Sequence, residues 1–236
     1  MKHKQGKVFR QSISNRLVHW LTAISIFSLI ISGFGQMPMY KRYNIVKLPN
    51  AEWLGDYSIT LVMHYLGSIA LIFIIFYHMF VHLFMKEFDI IPKRGDIKDS
   101  LKNLKAALSK GEAQPSGKYH TKQRLAYAAF GVAILALIIS GLVKIAKNIS
   151  LIALSKPIIF WATWIHNIAT MALILLIIAH LSAFMIKANR KLIPGMLTGY
   201  VDEKYAKHKH TLWYQKITHP KTPHHVKAPG DSPPAR

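Results

Sequence analysis

Thirteen histidines and no cysteine set the chemistry open to this chain of 236 residues. Without thiols it forms no disulfide, attaches no haem through a Cys-x-x-Cys-His site and offers no thiolate to an iron–sulfur cluster, so a redox cofactor must be held by His, Met or Tyr. His166 and His180 are 14 residues apart. At about 100° per residue the second ring returns to within roughly 40° of the first, about 21 Å further along the same helix face. One face thus carries two stacked axial ligands. Two bis-imidazole haems in a four-helix bundle need this arrangement, with a matching histidine on a facing helix at each level.

The elements that must position these rings are apolar runs of about 20 residues, the length that crosses hydrocarbon as helix. Four occur, at Leu17–Gln36, Leu61–Phe84, Leu125–Val143 and Ile159–Ile186. The first lacks a small-residue cleavage site and is read as a retained span rather than a signal sequence. With 51% hydrophobic and 17% charged residues and a mean hydropathy of +0.21, the chain is too apolar for a basic soluble domain. The predicted fold is all-α, an integral membrane four-helix bundle.

The net charge of +21 does not indicate nucleic acid, because the basic residues sit between the apolar runs. Counted by segment, 25 Lys and Arg fall before span one, between spans two and three, and after span four, against 6 in the other two loops. By the positive-inside rule both termini and the central loop are cytoplasmic. In that loop Ile97, Leu101, Leu104, Ala107 and Leu108 predict a short amphipathic surface helix ending near Gly111, basic enough to lie on anionic lipid. Residues 1–217 form the four-span domain with its tail. The remainder, 218–236, is expected to be disordered, since His219–Arg236 holds five of the eleven prolines and little apolar material. No internal repeat is evident beyond the histidine spacing.

Depth then pairs the histidines. His64 begins span two and His166 lies near the start of span four, both at the outer level. His19 begins span one and His180 ends span four, both at the inner level. A lone intramembrane histidine is more often a hydrogen-bonded interior residue, but four that match in two layers favour ligation. His78, 14 residues after His64, is an alternative to His19. His82 is expected to reach the interface. Arg16 and Trp20 flank His19, and Arg16 could pair with a haem propionate. Gly33, Gly67, Gly131 and Gly141 permit close approach of a helix or a cofactor. Trp53, Tyr57, Trp161 and Trp164 suit the aromatic belt.

Arg16-Leu-Val-His19-Trp20, the run ending Ser32-Gly33, His64-Tyr-Leu-Gly67, His166 and His180 together resemble the di-haem cytochrome b subunits of membrane-bound dehydrogenases. That superfamily includes the cytochrome subunits of formate dehydrogenase, nickel–iron hydrogenase and thiosulfate reductase. The resemblance covers about Arg10 to Ile217. The tail from Gly195 to Tyr214 is similar to the segment after the last span of formate dehydrogenase gamma subunits.

The resemblance implies haem ligands at His19, His64, His166 and His180. It also implies a quinone site near the cytoplasmic haem at the start of span three, where Tyr119, His120 and Gln123 stand. His120 occupies the place of the family's asparagine, which leaves open the polar group that serves there. The expected function is a membrane-anchoring cytochrome b subunit of the bacterial inner membrane. It would pass electrons from an iron–sulfur partner subunit, itself fed by a catalytic dehydrogenase subunit, through two haem b groups to quinone.

A free-standing di-haem carrier and a histidine-lined metal-ion transporter are the rival readings. The first leaves the long tail without a purpose. The second needs ligands converging on one path instead of two layers. The orientation is tested by reporter fusions: those at Lys118 and after Arg236 are expected to report the cytoplasm, and one near Pro49 the opposite side. An external C-terminus would break the depth pairing.

Overall fold

The computed structural model describes residues 6–108, 116–149 and 152–219. A short strand, β1 (Lys7–Phe9), leads into α1 (Ile13–Gln36). The first connection holds α2 (Met39–Arg42) and two 3-10 turns, Ile45–Lys47 and Glu52–Gly55, before α3 (Tyr57–Met85). Helix α4 (Asp96–Leu108) precedes α5 (Thr121–Asn148) and α6 (Lys156–Ser182). After a 3-10 turn at Ala183–Met185, the tail forms α7 (Lys187–Arg190), α8 (Ile193–Leu197), β2 (Tyr200–Asp202), α9 (Glu203–Lys209) and α10 (Thr211–Thr218).

Among the described residues, helices α1, α3, α5 and α6 are the four long and apolar enough to cross a membrane. The helices begin a few residues before the apolar runs, because polar caps outside the hydrocarbon satisfy their first N–H groups. Ser12 accepts from the Asn15 N–H at 3.1 Å. Asp56 accepts from Ser58 and Ile59 at 2.8 and 3.1 Å. Helix α5 also runs five residues past Val143, to Asn148. Phe73, Val132, Leu175 and many other large apolar side chains face outward, as lipid-facing residues must.

The four helices pack as two hairpins, α1 against α3 and α5 against α6, and the hairpins stand further from each other than their own members do. Side chains from all four meet in one cluster, Ile26, Leu71, Ala133, Ile134 and Leu173. With lipid as the competing solvent, this cluster holds by close packing more than by exclusion of water. Leu71 is seven residues from both His64 and His78, and Leu173 seven from both His166 and His180. The core therefore lies midway between the two histidine levels, and the outer level opens into a cleft lined by His64 and His166.

At the basic end the fold departs from all-helical. β1 pairs antiparallel with β2, Val8 opposite Val201, tying the tail to the segment before α1. The Gly199 carbonyl accepts from the Arg10 and Gln11 N–H groups at 2.8 and 3.1 Å. Gly199 has φ +88°, and a Cβ there would sit 2.8 Å from the Gln11 carbonyl oxygen. Only glycine fits. Val8, Val201, Ala206 and Trp213 form a second small core beneath this ribbon.

The expected surface helix is present as α4, with Ile97 and Leu101 exposed. Its expected end near Gly111 lies outside the described residues, as does all of the expected disordered tail beyond His219.

Asp96, nearly inaccessible, anchors α4 to the foot of α5. Arg124 Nε and Nη2 donate to its two oxygens at 2.7 and 2.5 Å, and the Lys93 N–H donates at 2.9 Å. The Arg124 hydrogen bonds hold the Asp96 carboxyl down at about 2. A carboxylate with a lowered pKa contributes stability above its unfolded value of about 3.9 and loses it as pH falls through about 2. Asp96→Asn is expected to destabilise the detergent-solubilised protein by ~2 kcal/mol at neutral pH. The difference should vanish toward pH 2, as measured by thermal unfolding.

Candidate functional site

The interior of the bundle holds its histidines in facing twos. His64 on α3 faces His166 on α6 with ring centroids 6.4 Å apart, and His19 on α1 faces His180 on α6 at 6.3 Å. With a metal–imidazole bond of about 2.0–2.1 Å and a ring centre about 1.1 Å behind its nitrogen, two rings on opposite sides of one metal have centroids roughly 6.2–6.4 Å apart. Both pairs fall in that window. Among the described residues no group of three or more metal-ligating side chains converges, so the histidines form two paired stations and no chelating cluster.

The outer rings are fixed in tautomer as well as position. Ser32 donates its hydroxyl to the Ser28 carbonyl at 2.7 Å, and its oxygen lies 3.0 Å from His64 Nδ1. With the serine proton committed to the backbone, the imidazole must be the donor in that contact. His64 is then Nδ1-protonated, and its Nε2 lone pair is free for a metal. Ser140 repeats the arrangement, donating to Ala136 at 2.6 Å and meeting His166 Nδ1 at 3.0 Å. Gly33 and Gly141 lie against the rings: a Cβ at either would stand 3.5 Å from the Cε1 of His64 or His166, in ordinary contact. Gly67 instead faces Leu29, a close helix–helix approach, and Gly131 faces open space.

These parallels expose a repeat that histidine spacing alone does not show. Leu29-Ile-Ile-Ser32-Gly33 recurs without change as Leu137-Ile-Ile-Ser140-Gly141, 108 residues later. His64 and Ser68 match His166 and Thr170, and each hydroxyl donates to its histidine's carbonyl at 2.8 Å. In the sequence Ser32 marks only the end of a resemblance motif and Ser140 nothing at all, because a single hydroxyl in an apolar run reads as tolerated. The repeated pentapeptide was the signal.

At the inner level the repeat is broken. The equivalent of His19 is Tyr127, and the equivalent of His180 is His78. His78 Nε2 lies 3.0 Å from the Tyr127 hydroxyl, and its ring packs 4.3 Å from His82. His82 turns back to the Glu87 carbonyl, 2.7 Å from its Nδ1, in place of reaching outward to the interface. His78 is thus turned toward α5, and His19 is the ring that faces His180. His19 Nδ1 is buried without a hydrogen-bond partner among the described residues. Trp20 stacks edge-on to His19 at 5.1 Å and donates Nε1–H to the Met196 carbonyl at 3.2 Å. Arg16 donates to the Leu197 carbonyl at 2.6 Å, leaving its buried Nε without a partner among the described residues.

Tyr119, His120 and Gln123 come together at the foot of α5, with partners the sequence did not suggest. Gln123 Oε1 accepts the His120 N–H at 2.8 Å, a helix cap. The Tyr119 hydroxyl meets the Gln11 side chain at 3.2 Å. The His120 ring lies 4.5 Å from His210 of the tail, which is fully inaccessible and whose Nδ1–H donates to the Gly117 carbonyl at 2.8 Å. Burial, then nearby cations led by Lys122, pushes His120 down to about 4; burial, then Arg10, pushes His210 to about 3. Both rings are neutral at physiological pH. Arg10, itself buried, lies over Tyr119 and Trp213 and donates Nη2 to the Lys118 carbonyl. Its Nη1 and the His210 Nε2 are buried without partners among the described residues.

Residues 10–199 match the family model for prokaryotic cytochrome b561. The chain belongs to that family. It is a multi-pass membrane cytochrome b, an electron carrier with haem b as its cofactor. Among curated proteins it is 25% identical over 222 residues to the formate dehydrogenase cytochrome b556(fdo) subunit of Escherichia coli strain K12, covering 91% of this chain and 95% of that one. The nitrate-inducible cytochrome b556(Fdn) subunit of the same organism is 26% identical, covering 91% and 93%. The formate dehydrogenase cytochrome b556 subunit of Haemophilus influenzae is 24% identical, covering 89% and 83%.

Hydrogen bonds that orient a metal-ligating imidazole typically carry a 10–100-fold effect on affinity. Ser32→Ala or Ser140→Ala is therefore expected to weaken haem retention at the outer station at least tenfold, while the inner station is unchanged. Haem content after detergent dialysis is the measurement.

Proposed function

We propose that this cytochrome b holds two haem b groups and carries electrons from an iron–sulfur partner subunit at its outer face to quinone at its basic, cytoplasmic face. The observation that carries the reading is the pair of facing-imidazole stations, 6.3 and 6.4 Å between centroids, on opposite sides of the central apolar cluster. When bound, haem supplies one-electron iron chemistry. His64 and His166 would hold the outer group, His19 and His180 the inner one. The membrane is the bacterial inner membrane, with the Lys/Arg-rich end inside.

The partner is assigned from the relatives, each a formate dehydrogenase cytochrome b556 subunit. Substrate oxidation then belongs to a separate catalytic dehydrogenase subunit, and formate is the favoured donor. Hydrogen or another reductant would act through the same stations.

For quinone we assign the cluster of Tyr119, His120 and Gln123 with Arg10 and His210. Arg10 Nη1 offers a buried donor for a quinone carbonyl, and His210 Nε2, its Nδ1–H already committed, offers a buried acceptor for a quinol hydroxyl. With both rings neutral, they act as hydrogen-bond partners and not as fixed charges. Reduction takes two electrons and two protons, and protons drawn from the cytoplasm against electrons from outside separate charge across the membrane.

Pyridine haemochrome analysis is expected to give two haems per chain. His166→Ala should remove the outer haem and block electron entry. His180→Ala should remove the inner haem and leave the outer one reducible by the partner. His19→Ala should likewise remove the inner haem, and His78→Ala should leave both. Retention of both haems by His19→Ala with loss of the inner one in His78→Ala would overturn the inner pairing.

A further inference from the structure

Among the described residues Lys144 is a cation with no counter-charge. It stands on α5 one turn beyond Ser140, half-buried, and lines the interior cleft with His64, His166 and Gln36. Lys147, three residues on, is exposed. Helix α5 contains no carboxylate, and the outer loops carry only Glu52 and Asp56. Asp56 caps α3, and Arg124–Asp96 is the one ion pair among the described residues. A charge in this setting is retained only if something neutralises it. Two imidazoles that share a metal supply no negative charge.

Resting on the two-haem reading above, we propose that Lys144 binds a propionate carboxylate of the outer haem and raises that haem's reduction potential. The propionates are the only anionic groups such a cofactor brings, and the cleft that holds the two outer imidazoles also holds this ammonium. The internal repeat gives the proposal a built-in contrast. The residue equivalent to Lys144 on α1 is Gln36, which lines the same cleft without charge. The cation is therefore not a product of the repeat but a feature of the α5 side alone. Its effect on potential follows from charge: ferrous haem carries one more negative charge than ferric, so a fixed cation favours the reduced form. For an outer station that accepts electrons from a partner, this favours entry.

The test is a redox titration of the purified full chain, followed by haem absorbance, for the unaltered protein and for Lys144→Gln, Lys144→Met and Lys144→Arg. The Gln and Met variants are expected to shift the outer haem's reduction equilibrium about tenfold toward the oxidised form, ~59 mV for one electron. The inner haem should not move, and the Arg variant should restore the unaltered value. Loss of the outer haem from the Gln variant with retention in the Arg variant also supports the assignment.

Equal potentials in all four proteins would overturn it, as expected if a lipid phosphate neutralised Lys144 instead. Equal shifts of both haems, or loss of the outer haem from the Gln and Arg variants alike, would overturn it too. Failure of the unaltered protein to bind two haems would instead refute the two-haem reading, so the two failures are told apart before any variant is compared.

Discussion

An imidazole placed in the hydrocarbon layer must give its N–H to an acceptor, and the backbone of a continuous helix has few acceptors to spare. The outer station meets this constraint with a serine whose hydroxyl donates one turn back along its own helix and so presents only lone pairs to the ring. The orientation of the Nε2 atoms depends on that relay. The glycine after each serine packs beside the same ring, where an added Cβ would stand 3.5 Å from its Cε1. Serine, glycine and histidine act as one unit, used once in each hairpin.

Using the unit twice makes the outer level nearly symmetric, and the inner level shows what the symmetry leaves free. Each hairpin could have carried a histidine on both members at the inner depth. The first keeps His19 and His78, and the second has Tyr127 and His180. Tyr127 takes His78 as its hydrogen-bond partner, and His19 is left to face His180 across the hairpins. A single His-to-Tyr difference between the halves thus distinguishes two diagonals that spacing alone leaves equivalent. The central cluster of Ile26, Leu71, Ala133, Ile134 and Leu173 separates the two levels and contains no polar side chain.

Much of this was legible in the sequence, because a membrane restricts what a chain can do. Four apolar runs fixed the spans, and the 14-residue interval from His166 to His180 fixed two depths on one helix. Three things were legible only in part or not at all. His19 was favoured as the partner of His180 by Arg16 and Trp20 beside it, but His78 stayed open, since both sit at the same depth and only helix rotation separates them. Ser32 was visible only within the Ser32-Gly33 motif, and no role was legible for it or for Ser140, although the repeated Leu-Ile-Ile-Ser-Gly marks both. The docking of the tail onto the residues before α1 rests on a three-residue ribbon joining positions almost 200 apart. No local periodicity announces such a contact, yet it brings His210 to His120 and buries Arg10.

The central claim is that each of two irons is held between two imidazoles. Low-temperature electron paramagnetic resonance of the oxidised, purified protein tests it most directly, because axial ligation sets the spin state. The account predicts two low-spin ferric haem signals of equal intensity. A high-spin ferric signal from either station, or a single low-spin species accounting for all the iron, would contradict it.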